Sequence, residues 1–284
     1  MENCKPLGKL TQRLIPDIFD KVEWNGIWNR KLESGTAFEW ATFAALVKVA
    51  RENNIEVTFP LLEEYSAGAF FILRNEIPYA HGAQAGNTAT ALSSQKLEER
   101  FLYSLVPKAI FKSNKQTLSV FREGCPYHKV MGKHNYQERT DIIIVPGMPS
   151  EGYPKYNSSE TGVFFAYDYP GQLITGDFRI INSAIIPCRR RSPRGGFPML
   201  PIGIIECSVN KTAEVATEQL KKYDALFSTP AGKTKFSLIT GNDLSFLEYD
   251  THSVDLTTED VSILSDNFVT AAEGILKNFS IIAP

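Results

Sequence analysis

Two acidic residues stand where charge is hard to justify. Asp141 begins the run Asp141-Ile142-Ile143-Ile144-Val145, and Glu206 interrupts Ile204-Ile205-Glu206-Cys207-Ser208-Val209. A carboxylate embedded in an apolar strand costs free energy unless it is paired or binds a cation. Side chains alternate along a strand, so Glu206 and Ser208 share a face while Cys207 points away. Two such strands side by side would bring both carboxylates to one edge of a sheet. Hard oxygen ligands of this kind suit Mg²⁺, which keeps several waters and completes its shell with phosphate oxygens. There it can polarise a phosphoryl group and lower the pKa of a bound water. Plainer roles exist beside these: a turn cap for Asp141, and a salt bridge to an arginine such as Arg139 for Glu206.

The elements that must position these residues read as an α/β mixture. Ser34 to Thr36 starts a helix, with Phe38, Ala41, Ala45, Leu46 and Val49 at helical spacing. Ile55 to Leu62 and Ala69 to Leu73 read as strands, and His81 to Thr90 as a loop. Ser93-Ser94 caps a second helix, with Leu97, Phe101 and Leu105 on one face until Pro107 ends it. Thr117 to Phe121 and Thr140 to Val145 read as strands. The β-branched run of the second fits a strand buried on both faces. Two apolar stretches flank Pro170-Gly171 as a hairpin, and Arg189 to Gly196 follows as a basic loop. Ile202 to Val209 is a central strand, and Ala213, Ala216, Leu220, Tyr223 and Phe227 mark an amphipathic helix after it. Phe236 to Ile239 returns as a strand. Val261, Leu264, Phe268, Ala271, Ile275 and Phe279 mark a last helix.

The 284 residues are 43% hydrophobic and 22% charged, ordinary globular composition with room for a sizeable core. A net charge of -2 gives no global basic balance, so a nucleic-acid partner would have to be met by a local basic patch. The four cysteines form no CxxC pair, and neither a secretory h-region nor an apolar run of membrane-spanning length is present. Reduced thiols, no membrane and a soluble, cytoplasmic protein are the expectation. Cys125, His128 and His134 lack a fourth ligand for zinc. Gly232-Lys233-Thr234 imitates the end of a phosphate-binding loop, but Phe227 stands where its first glycine belongs, so no nucleotide cofactor is expected.

The acidic positions resemble the PD-(D/E)XK nuclease superfamily in an ordered set of four motifs. Glu138 to Val145 corresponds to the aspartate strand, and Ile204-Ile205-Glu206-Cys207-Ser208 to the (D/E)XK strand. Gln219-Leu220-Lys221-Lys222-Tyr223 is similar to the Gln-Leu-x-x-Tyr signature of the following helix. Lys96 to Phe101 resembles the helix that supplies an extra metal-site glutamate, here Glu98 or Glu99. The set covers Ser93 to about Ile239. Two features depart from the pattern. Ser208 stands where the motif has lysine, so Ser208 itself or Lys211 would orient the attacking water. The segment between Asp141 and Glu206 is also longer than usual, with Asp168 and Asp177 as rival carboxylates inside it.

The resemblance implies a restriction-endonuclease-like fold: a mixed central sheet flanked by helices, with an N-terminal extension and an inserted hairpin. Residues 1–91 would form a recognition or dimerisation region, and 92–284 the catalytic core with an insertion around 150–200. The implied activity is Mg²⁺-dependent hydrolysis of double-stranded DNA by a type II restriction endonuclease, acting as a homodimer on a palindromic target. Asp141, Glu206 and Glu98 would be metal ligands, and Ser208 or Lys211 would serve the nucleophile. Arg189, Arg190, Arg191 and Arg194, with Lys133 and His134, are candidate phosphate or base-edge contacts, because arginine forks fit both. A structure-specific or repair nuclease of the same fold, or a DNA-binding protein without catalysis, would show the same strands.

Overall fold

A computed structural model of the chain describes residues 34–58, 107–122, 140–151, 155–157, 162–181, 184–190, 200–208, 213–227, 234–241, 249–254 and 261–284. Its helices are α1 (Ser34–Glu52), α2 (Ala213–Phe227) and α3 (Val261–Asn278). Its strands are β1 (Glu56–Thr58), β2 (Ala109–Lys112), β3 (Thr117–Arg122), β4 (Ile142–Pro146), β5 (Met148–Pro149) and β6 (Lys155–Asn157). They continue as β7 (Gly162–Tyr169), β8 (Gln172–Ile181), β9 (Ala184–Arg190), β10 (Gly203–Ser208), β11 (Lys235–Thr240) and β12 (Asp250–Ser253). The architecture is α/β, with a mixed seven-stranded sheet of order β1-β2-β3-β4-β10-β11-β12 flanked by helices, and a second sheet of five strands. The chain divides into two compact units, one drawn from 1–57 and 202–284, the other from 58–201.

In the first unit, β10, β11 and β12 run parallel, with Glu206 opposite Leu238 and Ser237 opposite Asp250. Parallel neighbours need a crossover, and α2 supplies the one between β10 and β11. Every residue of β10 is buried, as expected of a strand covered on both faces. α1 packs on α3 and on β10. Phe38 and Phe268 meet across the two helices, ring centroids 5.1 Å apart and planes tilted by 60°. α1 ends because Asn54 takes the left-handed conformation, φ 59°. There the Ile55 amide donates to Ala50 and the Asn54 amide to Arg51, closing a Schellman turn. α3 ends the same way at Ser280, φ 60°. That same turn lays Phe279 on Gly203, the first residue of β10, so closely that a Cβ there would meet the ring at 2.1 Å.

In the second unit, β2, β3 and β4 form an antiparallel meander, with Phe121 opposite Ile143 and Arg122 opposite Ile142. Gly147, at φ 91°, turns the chain out of β4 where a Cβ would lie 2.0 Å from the Asp168 carbonyl oxygen. The expected hairpin at Pro170-Gly171 is present as β7 and β8, but it is the centre of a larger element. The second sheet runs β5-β7-β8-β9, with β6 also paired to β7. Arg189 and Arg190 lie in β9, opposite Asp177 and Gly176, and not in a loop. Ladder pairing with β8 overrides the loop signal of the charged run. Asp141 also departs from expectation: it stands at a bend just before β4 and does not open the strand.

Candidate functional site

Glu206 is fully buried in the fourth position of β10, between Ile205 and Cys207, and faces the same way as Ile204 and Ser208. Its cross-strand neighbour is Leu238, and Phe236 and Thr240 share that face of β11. The carboxylate makes interactions of its own, yet no described residue hydrogen-bonds its Oε2. Ser208 is nearly buried and lies opposite Thr240, and its carbonyl accepts from the Gly241 amide at 3.0 Å. The helix that follows keeps Ala216, Leu220 and Tyr223 inward and Glu214 and Glu218 outward. Gln219 Nε2 donates to the Tyr223 hydroxyl at 2.9 Å, so the two polar members of that signature are joined one helical turn apart.

Asp141 is half-buried and engaged in interactions, while Thr140 before it and Ile142 to Val145 after it are buried. On the neighbouring strand of its own unit, Arg122 is a fully buried cation. Sequence reasoning missed Arg122, because an arginine followed by Glu123-Gly124 looks like a strand end in solvent. Lys108, also buried, was missed because it directly follows Pro107, where a lysine looks like an exposed loop residue. Asp168, one of the rival carboxylates, is exposed beside the β7–β8 turn, opposite Leu173.

Glu98, Glu99, Lys133, His134, Arg191, Arg194 and Lys211 lie outside the described residues, as do Cys125 and His128. Among the described residues, no group of three or more His, Cys, Asp or Glu side chains is placed to hold a metal ion. Mg²⁺ does not need such a group, since one or two carboxylates with waters and phosphate oxygens complete its shell. A buried all-oxygen donor such as Glu206 fits that chemistry. Among the described helices none is long and apolar enough to cross a membrane.

A second polar cluster gathers at β11, β12 and the end of α3. Asp250 Oδ2 accepts from Ser237 Oγ at 2.5 Å and from Asn278 Nδ2 at 2.9 Å, and lies 3.0 Å from His252 Nε2. Burial pushes the Asp250 carboxyl up. The hydrogen bonds from His252 and Ser237, the charge of His252 and the Asn278 amide outweigh it and hold the group below the usual carboxylate value. No family model matches this chain, and no curated protein or solved structure matches it either.

Proposed function

We propose that the chain is a Mg²⁺-dependent DNA endonuclease of the type II restriction class, with Glu206 as its principal carboxylate. The observation that supports this reading is a fully buried glutamate in a parallel strand, followed by the helix that carries the linked Gln219–Tyr223 pair. Burying a carboxylate in a fully buried strand has a cost that a cation or a strong donor must offset. The motif order assigns Asp141 and Glu98 as further ligands, and Ser208 or Lys211 as the group that orients the attacking water. Bound Mg²⁺ would supply charge stabilisation to a phosphoryl group and a more acidic water. Glu206 would fix the ligand position, and the Ser208 hydroxyl, on the same face of β10, would hold the nucleophile in line. Double-stranded DNA is the substrate, and a homodimer would cut both strands of a palindromic site.

The test is incubation of long duplex DNA with the protein, with and without Mg²⁺, beside Glu206→Ala and Asp141→Ala. Discrete fragments that need Mg²⁺ and vanish in both variants support the reading. A smear would favour a structure-specific or repair nuclease. Intact DNA with salt-sensitive binding would favour a DNA-binding protein without catalysis.

A further inference from the structure

Asp250 collects contacts from three elements on a single oxygen: Ser237 from β11, His252 from β12 itself, and Asn278 from the last turn of α3. The register of β11 and β12, with Ser237 opposite Asp250 and Ile239 opposite His252, sets these side chains on one face of the sheet. The His252 ring lies against α3 at Gly274, where a Cβ would come within 2.5 Å of Cε1. Lys235, also on β11, donates to the Asn278 carbonyl and to Ser280 Oγ. α3 is thus tied to the strands at its C-terminal end by a small set of polar groups around one carboxylate.

We propose that Asp250 is an acid-sensitive latch that holds the C-terminal end of α3 on β11 and β12. An ionised carboxylate only accepts, so several donors can converge on it. Once protonated, it loses accepting capacity for the donors that converge on it. The lowered pKa fixes the direction of the pH response. Stability from the latch is present above the ordinary carboxylate value and is lost as pH falls through the depressed value of the folded state. Among the described residues, the other charged or titratable groups on this face of β10, β11 and β12 and in the last two turns of α3 are Lys235, His252, Cys207 and the Glu273–Lys277 pair, 2.8 Å apart. A charged His252 strengthens its hydrogen bond to the carboxylate, so release waits for Asp250 itself. The exposed Glu273–Lys277 pair is the competing charged contact at this end of α3, and a variant separates it.

Release has a defined structural reach. Phe279 sits on Gly203, so loosening the end of α3 loosens the packing at the start of β10. The latch stands independently of the nuclease reading.

Amide hydrogen exchange of residues 272–284, corrected for intrinsic rates and referenced to residues 42–50 of α1, tests it between about pH 7 and about pH 3. Wild-type protein should show at least about a tenfold relative acceleration on acidification, while α1 stays protected. Asp250→Asn should exchange fast at both ends of the range. Ser237→Ala keeps the carboxylate but removes a donor, so its loosening midpoint should move to higher pH. Glu273→Gln should respond as wild type does. Loss of α1 and the α3 end together, a midpoint unmoved in Ser237→Ala, or a response abolished in Glu273→Gln would each overturn the latch. If Asp250→Asn does not fold, Ser237→Ala and Glu273→Gln still decide the matter.

Discussion

A methyl group at Gly203 would sit 2.1 Å from a ring carbon of Phe279, well inside van der Waals contact. Gly203→Ala must therefore push the end of α3 off β10, and a urea titration should show a loss of about 1–3 kcal/mol. Glu206 makes the complementary case, a buried charge in a strand that otherwise tolerates none. Glu206→Gln keeps the shape and removes the charge. Saturating Mg²⁺ should raise the thermal midpoint of the wild type by an amount equivalent to about 1–3 kcal/mol, and leave that of Glu206→Gln unchanged. An equal rise in both would remove Glu206 from the metal site. Glu206 was legible in the sequence because it breaks an apolar run. The Asp250 cluster was not, because Ser237, Asp250, His252 and Asn278 each look like ordinary surface polarity until strand register brings them together. Arg122 escaped notice too, since nothing in its neighbours announces that both faces of β3 are covered.

The elements with strong periodicity were readable. α1, α2, α3, β3, β10, β11 and the β7–β8 hairpin all stand within a few residues of where apolar spacing and turn residues place them. Short strands other than β1 were not. β12 is Asp250-Thr251-His252-Ser253, with no apolar alternation, and exists because β11 offers it a parallel ladder. β2 is four residues long, and β5 and β6 are shorter still, below the length at which periodicity carries information. Arg189 and Arg190 read as the start of a basic loop and instead end β9, because β8 pairs with them. The most direct test at this scale is the α1–α3 contact. Phe268 is fully buried against Phe38, so Phe268→Ala should cost about 3–5 kcal/mol in chemical denaturation. A loss under about 1 kcal/mol would mean that α3 contributes little packing there.

Across the whole molecule, a net charge of -2 gives DNA no long-range attraction to the chain as a whole. Binding should therefore depend on a confined set of phosphate contacts, and log affinity should fall with log salt concentration with a slope of about one per neutralised phosphate. Fluorescence anisotropy with a labelled duplex across a salt series measures that slope. A slope near zero would argue against phosphate contacts altogether. The central claim is that Glu206 binds the cation that supports strand cleavage. It is tested most directly by long duplex DNA, with and without Mg²⁺, exposed side by side to wild-type protein and folded Glu206→Gln. The account predicts discrete fragments from wild type with Mg²⁺, none without it, and intact DNA from the variant under both conditions. Cleavage by Glu206→Gln at the wild-type rate, or intact DNA from the wild type with Mg²⁺ present, would contradict it.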